Sequence, residues 1–486
     1  MRASQTKNGV TLRVIAGTQR AILGIDLQGN RRKGCLGFSI FRTDLGPVRE
    51  EKDGKEEDGK KEDGKKAGRW LPNMLRFPTS TAPASTTEFF PLQKFRWGDY
   101  TLDPGHVYKF RVVPRYGQPD ALEPISPTAG VEVEVTTEDP AAKQTAVYFN
   151  RGAAASRAFE QKFPKITSEK ILLGSSDDAV KARKWLSNGL EEGLLAFLAQ
   201  ATGGTFALHA AIYEFQKESL LAGLKAAGTR GVDVRVSYHA RVKSDEGDHT
   251  TAKNEAAIAK AKFGKKVKVK PRKANPQGAI MHNKFVVLLE DTGEGLVPQA
   301  VWTGSTNWTD GGIYGQLNVG HAVYEPEVAA AYEEYFQLLY ADSSAATMKN
   351  ALSALTPVSL VLPGDHKTTP VFSPQSDETM LHLYQTLCDG AKCLMVSAPF
   401  ALSPIILSAL SKKRDDVLRY MLLDKMGSLG KGEEVHVIQG DPSNSIAAAT
   451  TLKSPLQDMQ GALLEGKGES FLHPGIHIHS KIILVD

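Results

Sequence analysis

The chain has 486 residues, too many for one ordinary core, so roughly two to four domains are expected. Its composition, 41% hydrophobic and 23% charged, excludes a disordered or fibrous chain, and the net charge of +4 is too small to name a partner. No apolar run approaches the ~20 residues of a membrane helix, and the start, MRASQTKNGVTLRVIAG, lacks the apolar core of a secretory signal. A cytoplasmic location is expected. Cys35, Cys388 and Cys393 are the only cysteines, and the CDGAKC spacing does not match zinc ligand pairs, so buried reduced thiols are expected.

The first predicted elements are strands: TLRVIAG (11–17) and CLGFSIFRTD (35–44). Between 48 and 68 the repeat KDGKE, EDGKK, EDGKK carries both charge signs and no apolar residue, which predicts a disordered surface insertion. Its acids lack the spacing of a calcium loop. Beyond it, Tyr108, Phe110 and Val112 alternate inward against Lys109 and Arg111, and VEVEVTTE alternates as cleanly. Together these predict an all-β sandwich over 8–140. The run Leu102-x-Pro104-Gly105-x-x-Tyr108-x-Phe110-x-Val112 resembles the E–F corner of fibronectin type III domains. That resemblance implies a module that binds or spaces.

From about residue 145 helices and strands alternate. LEEGLLAFLAQA has helical spacing, TFALHAAIYEF reads as a strand, ESLLAGLKAAGTRG as a helix ended by glycine, and VDVRVSYHA as a strand. A second pass follows: ETMLHLYQTLCDGA helical, KCLMVSAPFAL a strand, DDVLRYMLLDKM helical and EEVHVIQGD a strand. This order predicts α/β sandwich architecture with an internal duplication. Each pass ends on a strand that opens His-x-Lys: HNKFVVLL with His282 and Lys284, and HSKIILVD with His479 and Lys481. Period-two alternation puts each histidine and its lysine on one strand face. Packed about a pseudo-two-fold axis, the four side chains converge on one cleft. Two lysines there neutralise the non-bridging oxygens of a phosphate, one imidazole attacks phosphorus and the other protonates the leaving oxygen.

These paired motifs resemble the phospholipase D superfamily, whose signature is His-x-Lys-x4-Asp in two copies. The resemblance spans about 145–486. RGVDVRV, with Gly231, is similar to the family's strand before the motif, and Gly304-Ser305-Thr306-Asn307 is similar to its Gly-Ser-x-Asn element. It implies two α/β/α lobes around one site: lobe 1 over 145–345 and lobe 2 over 365–486. It also implies a metal- and cofactor-independent phosphohistidine mechanism, with His282 as nucleophile, His479 as general acid, and Ser305 and Asn307 holding phosphate. Three departures stand out. Leu289 occupies the first motif's aspartate position, with Asp291 two places late on a predicted turn. The family's glutamate after Gly-Ser-x-Asn has Asn318 as its counterpart, and an amide orients an imidazole without stabilising an imidazolium. The second motif is complete to Asp486, but a second Gly-Ser-x-Asn would follow it, so lobe 2 reads as truncated.

His477 reads as a cleft-lining residue. His473, His477 and His479 are close in sequence, but His479 already has a role and Pro474-Gly475 predicts a turn, so no metal is expected. KAKFGKKVKVKPRK (260–273) carries eight basic residues in fourteen, and Lys266, Lys268 and Lys270 share a strand face. This face suits a nucleic-acid backbone or an anionic lipid surface, and equally a lysine-guarded edge strand. The reading favoured is a phosphodiesterase acting on phospholipid headgroups, with peripheral membrane-surface contact. A nuclease of the same chemistry and a catalytically degenerate binding protein are the alternatives.

Overall fold

The computed structural model describes residues 1–48, 68–73, 75–77, 85–140, 144–152, 159, 162–166, 170–171, 174–241, 249–274, 280–356, 368–424, 444–448 and 478–485. Most of the charged repeat, His473, His477, Asp486 and the segment EEVHVIQGD lie outside the described residues. The chain divides into two compact units, Met1–Lys143 and Gln144–Asp486.

The first unit contains β1 (Arg2–Lys7), β2 (Val10–Ala16), β3 (Ala21–Leu27), β4 (Gly37–Pro47), β5 (Gly68–Trp70), β6 (Arg96–Asp99), β7 (His106–Arg115), the small hairpin of β8 (Gly117–Gln118) and β9 (Ala121–Leu122), and β10 (Val131–Thr136). They form two four-stranded antiparallel sheets, β1-β2-β3-β6 and β10-β7-β4-β5. Alternation aims one face of each sheet inward, so Leu12, Val14, Leu23 and Ile25 share a core with Phe38, Ile40, Phe110 and Val133. At the expected corner the Tyr108 hydroxyl accepts from the Asp103 N–H at 2.8 Å. A buried Arg42–Asp99 pair, 2.6 Å, ties one sheet to the other, each charge removed from water but compensated.

In the second unit a seven-stranded sheet runs β11 (Thr145–Phe149), β17 (Val319–Val323), β16 (Leu296–Gly304), β15 (Lys284–Asp291), β12 (Phe206–Ile212), β13 (Asp233–His239), β14 (Val267–Arg272). Helices cover both faces. Leu208, Ala210 and Ile212 pack under α2 (Leu190–Ala199) and α3 (Glu218–Thr229), which follow α1 (Asp177–Ser187) and precede α4 (His249–Ala261). Ala207, Phe285, Val287 and Leu289 pack under α5 (Pro326–Tyr340) and α6 (Ala345–Leu355). Leu289 is therefore a core residue at the motif's aspartate position, and Asp291 ends β15 by accepting from the Gly293 N–H at 2.9 Å.

A second sheet runs β20 (Asn444–Ala448), β19 (Leu418–Leu423), β18 (Cys393–Ala398), β21 (Ile482–Val485), packed with α7 (Thr379–Gly390) and α8 (Pro404–Leu410). Its pattern repeats that of β14-β13-β12-β15: three parallel neighbours, then one antiparallel strand opened by His-x-Lys. One expectation is corrected. DDVLRYMLLDKM is not a helix, for its middle forms β19, where the near-continuous apolar run suits a parallel strand flanked on both sides.

Gly304 joins β16 to the loop that carries Ser305. It has φ +149°, and a Cβ there would lie 2.2 Å from the Val319 carbonyl oxygen. Only glycine lets β16 and β17 approach this closely. Gly304→Ala is expected to cost about 2–4 kcal/mol, read as a lower urea midpoint for the second unit; an unchanged midpoint contradicts this account of the turn.

Candidate active site

Both motif histidines lie just ahead of their strands rather than within them: β15 begins at Lys284 and β21 at Ile482. Each lysine folds back so that its Nζ donates to the carbonyl of its own histidine, Lys284 to His282 at 2.8 Å and Lys481 to His479 at 2.7 Å. The two repeats meet here. Ile478 bridges Leu317, and the His479 and Ser480 N–H groups both donate to the Leu317 carbonyl at 3.0 Å. The imidazoles of His282 and His479 stand edge to face, ring centroids 5.8 Å apart. The four side chains read as catalytic are thus brought together.

His479 is held by the loop after β16. Its Nδ1 lies 2.9 Å from the Ser305 carbonyl oxygen and 3.0 Å from Asn318 Oδ1. A carbonyl only accepts, so Nδ1 carries the hydrogen and Nε2 is left to exchange a proton. Asn318 is fixed in turn. Its Oδ1 accepts from Ser305 Oγ at 2.7 Å, its Nδ2 donates to Gly312 O at 2.7 Å, and its N–H donates to Asn150 Oδ1 at 2.7 Å. Asn150 Nδ2 donates at 2.6 Å to the carbonyls of Ile313 and of Gln316, closing the π-helical turn Gly311–Gly315. The Ser305 hydroxyl, expected to hold phosphate, gives its hydrogen to Asn318 and accepts from the Val319 N–H at 3.0 Å. Its observed job is to orient Asn318.

The electrostatics are those of two cations in a low-dielectric cleft. Burial, followed by Lys284 and Lys481, pushes the His282 imidazole down to about 2, so it stays neutral and nucleophilic. Lys284, 6% exposed, is held well below the ordinary lysine value by burial and then by Lys481, against the opposing pull of Glu214. Lys481, whose side chain partly reaches solvent, is lowered to about 8 by desolvation of its ammonium. Binding of an anionic phosphate between them favours the charged form of both lysines.

Several residues at the site carry no motif. Tyr213, just after β12, packs tilted against His282 with centroids 4.9 Å apart and lies under Lys284 Nζ at 5.1 Å. Phe400, after β18, lies 6.4 Å from the His479 ring and 5.4 Å from Lys481 Nζ, and is 50% exposed. Glu214 has a half-buried carboxylate; burial raises its affinity for a proton, and Lys284 and Lys253 oppose that. Asn254, fully buried on α4, accepts from the Phe215 N–H at 2.8 Å and donates to the Tyr213 and His239 carbonyls at 2.9 and 3.1 Å, which locks the ends of β12 and β13. The one available signal was position: functional groups in open α/β sheets gather at strand C-terminal ends.

The basic face is largely engaged. Lys268 pairs with Asp233 at 3.1 Å and Lys270 lies 5.3 Å over the Tyr340 ring, with Lys266 just before β14 at the end of the seven-stranded sheet. Beside His282 and Lys284 opens a cavity of about 710 Å³, lined by Met281, Phe285, Leu339, Met348 and Phe372 among others. Tyr335 borders it, its hydroxyl accepting from Asn283 Nδ2 at 2.9 Å and donating to Ser373 O at 3.1 Å.

Residues 194–340 match the family model described as "Cardiolipin synthase, PLD-like domain", a segment that holds the first His-x-Lys and the Gly-Ser-x-Asn element. No curated protein matches the chain. Among solved structures, a phospholipase D family member, Nuc from Salmonella typhimurium, is 20% identical over 31% of this chain and 87% of that one, with a TM-score of 0.24. NucT from Helicobacter pylori is 18% identical over 31% and 90%, TM-score 0.23. The phosphatidylserine synthase of Haemophilus influenzae Rd KW20 is 11% identical over 62% and 74%, TM-score 0.34. The segment 194–340 is similar to phospholipase D-like domains.

Proposed function

We propose that the chain is a phosphodiesterase of the phospholipase D type that hydrolyses phospholipid headgroup diesters. The observation that carries this is the pair of imidazoles at 5.8 Å, each with its own lysine, one neutral through burial and one with Nδ1–H fixed. A ring nitrogen of His282 attacks phosphorus, and the bond to the leaving oxygen breaks as His479 Nε2 gives that oxygen its proton. Neutral again, His479 takes a proton from water, which attacks the phosphohistidine and frees His282. Lys284 and Lys481 balance the charge that builds on the non-bridging oxygens. The apolar lining of the cavity beside His282 supports a lipid substituent, and pairing of Lys268 and Lys270 weakens the case for a nucleic-acid track. The Tyr108 corner supports a fibronectin type III-like reading of the first unit, as a module that spaces or binds.

Hydrolysis of phosphatidylcholine vesicles is expected to persist in excess chelator and to fall at least about 1,000-fold in His282→Ala. Loss of turnover on chelation sinks the histidine mechanism. Cleavage of single- or double-stranded DNA in place of lipid would sink the substrate assignment alone.

Asn318→Asp puts a carboxylate against His479 Nδ1, which stabilises the imidazolium and raises its folded-state pKa. Because the acid form then survives to higher pH, the alkaline limb of kcat should move up by about one pH unit. Stability should drop by about 1–3 kcal/mol, since Gly312 O loses its donor. An unmoved limb means that His479 is not the general acid.

A further inference from the structure

Among the described residues, Glu214 is an acid acting on Lys284 that the mechanism above does not use. Its backbone is pinned on both sides of the site: the Tyr213 N–H donates to Asn283 O at 2.8 Å, and Glu214 O accepts from the Trp308 N–H at 3.1 Å. The first contact ties it to the loop of the first motif and the second to the loop of Asn307. The carboxylate that results lies in the fields of Lys284 and Lys253, which favour its ionised form against burial. Register shows that this acid belongs to one repeat only. Ile212 pairs with Lys284, while Ser397 pairs with Ile482, the residue after Lys481, so the place of Glu214 is taken by Phe400 in the second repeat.

The consequence is a matter of charge. Two lysines alone present two positive charges to a ligand, which suits a dianionic phosphate monoester at least as well as a diester. With Glu214 ionised, the two lysines and this acid together carry one net positive charge, the complement of a phosphodiester, whose single negative charge does not change near neutral pH. Like charge between Glu214 and a second phosphate charge penalises the dianion in a site where screening by water is weak. Hydrolysis of a diester yields a monoester, so the same repulsion helps expel product.

We propose that Glu214 is a specificity-determining residue that tunes the cleft to monoanionic phosphodiesters and against dianionic phosphates. This rests on the phosphodiesterase reading of the same cleft. The test is calorimetric titration of the full chain with inorganic phosphate and with dimethyl phosphate at about pH 8, where phosphate is mostly dianionic. Glu214→Gln keeps the shape and removes the charge; it should tighten inorganic phosphate about tenfold and dimethyl phosphate by less than about threefold. Glu214→Ala, expected to show the same ratio, replaces it if the glutamine variant melts early. An unchanged phosphate affinity, or equal gains for both ligands, overturns selection by Glu214 while leaving the phosphate cleft intact. Failure of both probes to bind either wild type or variant overturns the cleft reading and this inference together.

Discussion

The site depends on one hydrogen-bonded joint: His479 of the second repeat, held at Nδ1 by Ser305 O and Asn318 Oδ1 of the first. Without it the imidazole has no fixed tautomer, and the two repeats lose the contact that sets their histidines edge to face. The joint is built outward from Asn318. Its amide is satisfied by Ser305, Gly312 and His479, and its backbone by Asn150, so it has one rotamer to offer. Behind it the turn Gly311–Gly315 is anchored from the far side. Lys217 Nζ donates to Asp310 at 2.7 Å and to the Tyr314 hydroxyl at 2.9 Å, and Tyr314 donates to Glu191. An ionic network on the other side of this turn thereby fixes the geometry at one of the histidines.

An amide in place of a carboxylate at 318 has a cost and a use. It stabilises the imidazolium less, so His479 parts with its proton readily when the leaving oxygen needs one. The lysines supply the opposite bias, since both sit in surroundings that disfavour their charge until a phosphate arrives. Burying Lys284 costs folding energy, which its Nζ contact to His282 O offsets in part. The equivalent positions Glu214 and Phe400 then break the likeness between the repeats, placing an acid on one side of the cleft and an exposed ring on the other.

How much of this was legible in the sequence differs from feature to feature. The alternation of Tyr108, Phe110 and Val112 and of VEVEV carried through directly, because a half-buried antiparallel strand writes its period into the chain. His282, Lys284, His479 and Lys481 were legible as a repeated pair, and Asn318 as the position facing an imidazole. The region DDVLRYMLLDKM misled, because in Leu418–Leu423 the buried face carries Arg419 and the outer face Leu418, so the residue types hide the alternation that burial shows. Ser305 was read from its place in Gly-Ser-x-Asn, which does not reveal that its hydroxyl hydrogen is committed to Asn318. Lys268 and Lys270 formed a stripe in sequence, but their partners Asp233 and Tyr340 come from elsewhere in the fold. Glu214 gave no signal, since a single acid in AIYEF acquires meaning only when Lys284 is folded against it.

The central claim is that His282 carries the phosphoryl group. A His479→Ala variant keeps the nucleophile but lacks the general base that resolves the intermediate. Its intact mass should be followed after rapid mixing with a diester bearing a good leaving group, in the presence of chelator. The account predicts a phosphoryl adduct that builds within one turnover, is labile to acid, and maps to the peptide containing His282. An adduct on any other residue, or turnover with none formed, would contradict it.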